Sequence, residues 1–513
     1  MSAIDAAFLY LERKELPLNI ASVCIFDGPV PFQEFVAGIH AKLHLVPRYR
    51  QIPVLPPWSL SFPSWEDDPH FDIYRHVLRV TLDGPGGEAE LEALAGRILS
   101  GVFDRSRPLW DVHVVDGLKD GRGALIWRVH HTLADGISGT ELLKTFLDAT
   151  PEVSYGRPKR HRRVVRSPEA QPSLVESISG AVNNVMGSLV EFEAGLLAFA
   201  KRMLDGTHQD ALKDLAELLP EYAASIERLP FNKPCTGARK FCWTEWNIAD
   251  VQAIREAVGG SINDVVLAVL TRALARYVRL HGESPANRFV RIVCPVNLRP
   301  VDQNHGLGNQ ISFLPVALPL HARGPVPMLK EVAKRTETLK RSGAMGFVGL
   351  AAKWFAAAPA PLQALFWRSI PDIIFPVPLL NMICTNVPGP ATPLYAAGRR
   401  MLTSYPQVPT GWDLGVGCAV QSYDGKLFFG FIADTVAAPD VDRLRDFVAQ
   451  SFEELRHSAM QKKARGAKKA KEAAKKDVKG PVKPVQAAAR EPEKTESVQA
   501  AAASVAAHTG EAA

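Results

Sequence analysis

The chain has 513 residues, 47% of them hydrophobic and 22% charged, with a formal net charge of +6. This length and composition supply enough apolar material for two domains or more, each with a sizeable core. The six cysteines are widely scattered and show neither CxxC nor His-rich spacing, which argues against a disulfide or zinc framework and indicates buried thiols in a reducing compartment.

Two features bear on location. The N-terminal residues contain no basic stretch followed by an apolar core, so no signal peptide is expected. The longest apolar tract, Trp354 to Cys384, is interrupted by Arg368, Asp372 and several prolines, which disfavours a membrane-spanning helix. A cytoplasmic protein, with scope for peripheral attachment to membranes or lipid inclusions, is therefore expected.

The first predicted lobe, residues 1–150, contains the segment ALIWRVHHTLADGISG. Ala124 to Val129 is an apolar run of strand length, the following residues have turn chemistry, and a helical pattern resumes near Gly139. This arrangement places His130 and His131 at the end of a buried strand, where a loop is held rigidly.

Several roles fit a histidine pair at such a position. Imidazole titrates near physiological pH, so one histidine can take a proton from an alcohol and return it to a leaving group. Adjacent side chains at a strand end point in opposite directions, so only one of the two is expected to face a substrate. Two core histidines are the structural alternative, and a metal site would more often place its histidines at i and i+4 on a helix.

Residues 151–230 form a predicted connector. It opens with the basic stretch from Arg157 to Arg166, and after Pro172 it shows an amphipathic helical pattern from Leu174 to Phe199. The apolar stripe of this helix either packs against the lobes or docks on a membrane surface.

The second predicted lobe, residues 231–458, interleaves helix and strand patterns. A helix opens at Ser261-Ile262-Asn263-Asp264, with Ser261 or Asn263 as its N-cap. Strand patterns end at Arg299, span Ile311 to Leu318, and span Lys426 to Asp434. Interleaved elements in both halves predict an α/β protein with two similar lobes and a central cleft.

The tail, residues 459–513, carries the charge excess. From Gln461 onward it has 12 Lys or Arg and 6 Asp or Glu, which leaves 48 of each in the remainder. With almost no large apolar residues it cannot offset the entropy of folding, so it is expected to be disordered or transiently helical. Its lysines attract anionic lipid or nucleic acid, although no specific nucleic acid is expected; a solvated solubility tail is the alternative.

Other catalytic motifs are missing. The segment Gly136-Ile137-Ser138-Gly139-Thr140 lacks the final glycine of a GxSxG nucleophile elbow, and neither GxxxxGKS nor GxGxxG occurs. No cofactor and no metal are expected. A group transferred to an alcohol would therefore have to arrive already activated.

The string HHTLADG resembles the HHxxxDG motif of the condensation-fold acyltransferases, which include chloramphenicol acetyltransferase. The chain is further similar, from about Ile4 to about Arg456, to the bacterial wax ester synthase/diacylglycerol acyltransferase family. That similarity is carried, in the family's order, by IDAAFLYLERKELPLNIASVCIF, WEDDPHFDIYRHV, FDRSRPLW, GGSINDVVLAVL, CPVNLRP, GLGNQISFLPVALP and TNVPGP. Thr385, Asn297 and Leu18-Asn19-Ile20 depart from the family's usual residues, which leaves the acceptor preference open.

The resemblance implies roles for the motif residues. His131 would be the general base, with His130 directed inward. Asp135 would pair with Arg299 to hold the loop that carries His131, and Gly136 would allow a tight exit from that loop.

Asn263 and Asp264 are candidates for a substrate-binding or oxyanion site, with a helix N-cap as the alternative role for Asn263. The expected reaction is acyl-CoA-dependent O-acylation of diacylglycerol or of a long-chain alcohol, with acyl-CoA as a co-substrate. The alternative is a catalytically weak protein of the same fold that binds lipid surfaces through the basic tail and the tract from Trp354 to Trp367.

Overall fold

Two six-stranded sheets organise the chain. The computed structural model describes residues 1–133, 136–152, 226–297, 311–321, 324–341, 358–370 and 380–477. Within these residues the strand order is β11-β12-β1-β6-β5-β4 in the first sheet and β7-β14-β13-β10-β8-β9 in the second, and β2 pairs with β3 in a separate hairpin. The predicted α/β class with two lobes is confirmed.

The first sheet and the hairpin come mainly from the N-terminal half. Their strands are β1 (Asn19–Phe26), β2 (Gln51–Val54), β3 (Ser64–Asp67), β4 (Val77–Thr81), β5 (Trp110–Asp116), β6 (Gly123–His130), β11 (Tyr395–Ala396) and β12 (Arg399–Gln407).

The second sheet comes from the C-terminal half. Its strands are β7 (Arg239–Asn247), β8 (Phe289–Asn297), β9 (Ile311–Pro319), β10 (Met382–Val387), β13 (Val416–Tyr423) and β14 (Lys426–Asp434). The strands predicted over Ile311 to Leu318 and over Lys426 to Asp434 are confirmed as β9 and β14.

Helices flank both sheets. The described ones are α1 (Ala3–Leu11), α2 (Phe32–Lys42), α3 (Glu88–Leu99), α4 (Gly136–Phe146), α5 (Ile248–Val258), α6 (Ile262–Leu280), α7 (Pro325–Arg341), α8 (Ala360–Ser369) and α9 (Val441–Asp477). The amphipathic pattern from Leu174 to Phe199 and the basic stretch before it lie outside the described residues.

Strand β6 leads directly into the histidine motif and is rich in apolar residues. All eight of its residues are buried, and it lies between β1 and β5 with antiparallel pairing on both sides. A strand paired on both edges and covered on both faces has little freedom to move. The end of β6, at His130, is therefore a rigid position.

The first lobe is not built from the N-terminal half alone. Strand β12, from the second half of the chain, pairs with β1 in the first sheet, with Ala21 opposite Gln407. It also packs on β14 of the second sheet, where a Cβ added to Gly430 would collide with the carbonyl oxygen of Pro406. The simple boundary expected near residue 230 therefore does not separate the two sheets.

The C-terminal boundary also differs from the prediction. Helix α9 continues through residue 458 to Asp477, and Ala459 is buried in the core of the second lobe with Met460 packed against it. Residues Met1–Lys463 form one compact unit, and a second unit begins at Ala464. The tail predicted from residue 459 therefore starts too early, because the helix keeps an apolar contact beyond that point.

All six cysteines are free and buried, as expected. Among the described residues, no single helix is long and apolar enough to cross a membrane; only α5 and α6 taken together, bent by 93°, meet the length and composition test.

Candidate active site

His130 points into the core at the end of β6. Its side chain is fully buried. The backbone N–H of Thr132 donates to Nδ1 at 3.1 Å, and Nε2 lies 3.2 Å from Oε1 of Glu12. A neutral ring that accepts at Nδ1 carries its proton at Nε2. Nε2 forms no hydrogen bond with the described residues, so its contact with Glu12 is one of short distance and charge. Both ring nitrogens of His130 are therefore turned to protein atoms.

Glu12 is the buried carboxylate behind His130. Burial alone would raise its pKa, but His130, Arg105 and the backbone N–H of Leu18 outweigh burial and hold the pKa of Glu12 below its ordinary value. Arg105 lies 3.3 Å from Oε2 of Glu12 and also donates to the carbonyl oxygen of Leu9. Glu12 is therefore ionised at neutral pH and ties three segments of the first lobe together.

His131 projects the other way. Its backbone N–H donates to the carbonyl oxygen of Leu18, and its half-buried ring stacks on Phe8, with centroids 4.1 Å apart and planes 16° apart. Adjacent residues at a strand end are expected to diverge in this way. The geometry thus separates the two histidines into one that is enclosed and one that faces helix α1.

Helix α1 holds the loop after His131. The hydroxyl of Thr132 donates to the carbonyl oxygen of Asp5 at 2.8 Å, and Ser2 caps the start of the helix by accepting from the N–H of Asp5. Phe8, one turn further along α1, supplies the ring under His131. The N-terminal helix therefore fixes both the backbone and the ring of the motif.

The predicted pair of Asp135 and Arg299 lies outside the described residues. Gly136 is the first residue of α4, three residues earlier than the predicted start of that helix. The loop exit at Gly136 thus coincides with a helix start, and the pairing of Asp135 with Arg299 stays a prediction.

Asn263 and Asp264 differ in their availability. Asp264 is buried, forms a capping box with Ser261, and accepts a 2.6 Å hydrogen bond from Thr336. Ser261, not Asn263, is the N-cap of α6. Asp264 therefore helps to cap the start of the helix, and Asn263 does not.

Asn263 instead meets the TNVPGP segment. Its Oδ1 atom accepts from Nδ2 of Asn386, at the end of β10, at 3.1 Å. Two residues after Val387, a Cβ added to Gly389 would collide with the carbonyl oxygen of Ser422. Helix α4 also packs on β10. This places the TNVPGP segment beside the helix that follows the histidine motif.

A buried polar chain links the two sheets behind that helix. Gln421 of β13 donates to the hydroxyl of Thr140 in α4 at 3.1 Å, and its Oε1 accepts from Ser404 of β12 at 2.9 Å. Ser404 lies 2.9 Å from the hydroxyl of Ser22 in β1. These hydrogen bonds connect α4 to strands of both sheets and so fix its position.

A cavity of about 910 Å³ lies elsewhere between the sheets. It is lined by Ile25, which is paired with Ala124, at the opposite end of β6 from His130. Six residues of strand separate the two ends by about 20 Å. This cavity is therefore not the predicted site of reaction.

Sequence reasoning missed Glu12, Arg105 and Phe8 as parts of this site. All three lie in blocks that carry the family resemblance, but a lone carboxylate, guanidinium or ring has no periodic signal of its own. Within the described ranges, no group of three or more His, Cys, Asp or Glu side chains is placed to hold a metal ion.

Comparison with known proteins assigns both halves of the chain to one family. The family model for the wax ester synthase/diacylglycerol acyltransferase catalytic domain matches residues 1–266, and that for the WS/DGAT C-terminal domain matches residues 307–456. The probable diacylglycerol O-acyltransferase tgs1 of Mycobacterium tuberculosis is 30% identical over 449 residues, which cover 86% of this chain and 93% of that protein.

Two solved structures share the fold. The wax ester synthase/diacylglycerol acyltransferase from Marinobacter aquaeolei VT8 superposes with a TM-score of 0.60 at 24% identity, covering 89% of this chain and 98% of that one. The first condensation domain of the CDA synthetase superposes with a TM-score of 0.55 at 14% identity, covering 88% and 93%. The condensation-type fold is thereby confirmed.

Proposed function

Since the chain belongs to the wax ester synthase/diacylglycerol acyltransferase family and is an acyltransferase, we propose that it transfers a fatty acyl group from acyl-CoA to the hydroxyl of diacylglycerol or of a long-chain alcohol. The product is a triacylglycerol or a wax ester. The name of the mycobacterial relative supports diacylglycerol as an acceptor.

The observation that carries this proposal is the separation of the two histidines. His130 is enclosed, with Nδ1 accepting from Thr132 and Nε2 3.2 Å from Glu12, whereas His131 lies on the other side of the strand end against Phe8. This divergence supports His131, and not the enclosed His130, as the candidate general base.

The reaction needs no covalent enzyme intermediate. His131 takes the proton of the acceptor hydroxyl while the oxygen attacks the thioester carbonyl, so that a C–O bond forms. The C–S bond then breaks, and the imidazolium returns its proton to the departing thiolate of CoA. Such a base is expected to contribute about 10² to 10⁴ in rate, and positioning and oxyanion stabilisation contribute the rest.

Asn263 is the candidate amide donor near the reacting carbonyl. Its carbonyl oxygen is engaged by Asn386, which orients the amide group and leaves the Nδ2 hydrogens directed elsewhere. An amide held in this way is suited to stabilise a developing negative charge.

Labelled acyl-CoA tests the proposal directly. The purified full chain is incubated with radiolabelled palmitoyl-CoA and either dioleoylglycerol or hexadecanol, and neutral lipids are separated by thin-layer chromatography. Label is expected in triacylglycerol, in wax ester or in both. Release of free fatty acid alone, or no transfer to either acceptor, would contradict the proposal and favour a lipid-binding protein of the same fold.

A further inference from the structure

Four large apolar side chains are exposed together beside helix α1. Trp58 of the 3₁₀ turn Pro57–Ser59 is 76% exposed, and Leu362, Leu365 and Phe366 on α8 are 47%, 66% and 44% exposed. Helix α8 packs on this turn. We call these four residues the apolar ridge. Scattered exposed apolar residues are normal, but a contiguous group of this kind marks an interaction site.

The backbone of the turn holds Trp58 outward. Trp58 and Ser59 have φ values of 50° and 55°, in the left-handed region that bulky side chains rarely adopt. The turn is closed by hydrogen bonds from Ser59 N–H to Pro56 and from Leu60 N–H to Pro57. An indole kept in solvent by an unfavourable backbone conformation calls for a functional explanation.

Most of the charged side chains beside the ridge are basic, although the exposed Glu15 follows Lys14 in sequence. Residues 52–62 contain no charged residue, and α8 contains only Arg368. The exposed Arg368 lies over the ring of Tyr10, with 4.9 Å to the ring centroid, and Arg13 donates to the carbonyl oxygen of Arg368. Exposed Lys14 follows Arg13 in sequence. Apolar side chains with Trp at the tip and basic side chains at the rim match a phospholipid surface.

The ridge is one helix away from the histidine motif. Ala6 and Tyr10 of α1 pack with Ala364 of α8 in a small apolar cluster. Phe8 of the same helix stacks on His131. An α-helix is about 10 Å across, so a surface that touches the ridge lies close to the motif.

We propose that the apolar ridge inserts into a phospholipid surface, with Arg13 and Arg368 at the level of the lipid phosphates. This inference rests on the proposed function, because a lipid acceptor dissolved in that surface reaches His131 without crossing water. Binding is dominated by apolar insertion, so it is insensitive to salt and does not require anionic lipid. Attraction between the basic tail and anionic lipid is a separate, salt-sensitive contribution.

Co-sedimentation with neutral phosphatidylcholine vesicles isolates the ridge from the tail. The full chain is expected to bind at low and high salt alike. The double variant Trp58→Ser/Leu365→Ser is expected to bind about 10- to 100-fold more weakly, because two large side chains lose their apolar transfer. The matched control Leu280→Ser/Val436→Ser removes two apolar side chains of 47% and 63% exposure elsewhere and is expected to bind like the parent chain.

A chain truncated after Lys463 serves as a second control. It should bind phosphatidylcholine like the full chain and lose only the salt-sensitive part of its binding to vesicles that contain phosphatidylglycerol. Equal binding by the double variant and the parent chain overturns the proposal, as does a parent chain that does not bind neutral vesicles. A parent chain that dimerises in light scattering, with a monomeric double variant, assigns the ridge to a second copy and also overturns it.

Activity separates this inference from the proposed function. Transfer from palmitoyl-CoA to a short-chain alcohol without vesicles should be the same in the parent chain and the double variant. Vesicle binding without any acyl transfer would leave the ridge assignment intact and contradict the proposed function.

Discussion

A single buried carboxylate sets the orientation of the histidine motif. Glu12 has a side chain only 3% exposed and contacts His130 on one oxygen and Arg105 on the other. Glu12 therefore contacts the enclosed histidine, whereas the proposed base is His131, so under the proposed mechanism Glu12 is a positioning residue. Its charge matters as well as its shape, because its two oxygens lie 3.2 Å from Nε2 of His130 and 3.3 Å from Arg105.

The first prediction removes that charge. Glu12→Gln keeps the shape but replaces a carboxylate by an amide, so kcat is expected to fall about 10- to 100-fold with a much smaller change in KM, because the loop that carries His131 is held through His130. Steady-state kinetics with labelled acyl-CoA measure this split. Glu141→Gln, which removes the surface partner of Lys144 on α4, is the matched control and should change neither constant.

The same variant has a stability signature. The pKa of Glu12 is lowered in the folded chain, so its charge stabilises the fold above the ordinary carboxyl pKa, and that contribution is lost as the pH falls through the lowered pKa. The stability difference between Glu12→Gln and the parent chain should therefore shrink on acidification. A difference that grows in acid would contradict the ionised state of Glu12.

At the scale of elements, the contact of α3 with the second lobe contains a carboxyl group in an unfavourable place. Burial, with a further contribution from the neighbouring Glu88, raises the pKa of Glu92 to about 7, although Arg445 lies 3.4 Å away and acts in the opposite direction. Glu88 itself accepts a hydrogen bond from the indole N–H of Trp243. The folded chain therefore holds a proton on Glu92 that the unfolded chain releases.

The second prediction follows from the sign of that shift. Between the ordinary carboxyl pKa and about pH 7 the folded state binds more protons, so the free energy of unfolding falls as the pH rises. Glu92→Gln should match the parent chain near pH 5 and be more stable at pH 8 by on the order of 2 kcal/mol. Urea unfolding at the two pH values measures the difference. A less stable Gln variant at pH 8 would show that the pair with Arg445 dominates.

Strands with a clear apolar run in their own sequence were predictable, and strands that form only by pairing with distant segments were not. Strand β6 and strand β14 are continuous apolar runs. Strand β12, with the sequence RRMLTSYPQ, has no such run and becomes a strand because β1 offers an edge to pair with. The second lobe extends past its predicted end at residue 458 for a related reason, since Ala459 packs in its core although a lysine-rich composition follows.

The same distinction applies to the site. The histidine pair was predictable because strand, turn and helix patterns meet there. Glu12 was not, because a carboxylate on an N-terminal segment looks like a surface residue until the fold brings His130 to it. The capping box of Ser261 and Asp264 has a local signal that the sequence analysis did not use, namely their spacing of three residues at the helix start.

At the scale of the whole molecule, one buried ion pair joins the N-terminal segment to the second lobe. Arg239 and Asp434 have side chains 2% and 0% exposed and lie 2.7 Å apart. Arg239 also donates to the carbonyl oxygens of Glu15 and Thr410. Burial would raise the pKa of Asp434, but backbone N–H groups, including that of Thr236, outweigh it and lower the pKa.

The third prediction halves this pair. Asp434→Asn leaves a buried guanidinium without its counter-charge, which is expected to lower the free energy of unfolding by about 3 to 5 kcal/mol. Urea unfolding at neutral pH measures it. The surface pair of Lys240 and Asp442 is the comparison, and Asp442→Asn should cost less than about 1 kcal/mol. Equal losses in the two variants would contradict the structural role of the buried pair.

The most direct test of the account is acyl transfer by His131→Ala beside His130→Ala, with folding of both checked by circular dichroism. The structure places His130 in the protein interior and His131 on the opposite side of the strand end. His131→Ala is expected to lose transfer by at least about 10²-fold while remaining folded, and His130→Ala to retain a measurable part of it. An active His131→Ala variant together with an inactive, folded His130→Ala variant would contradict the assignment of the base.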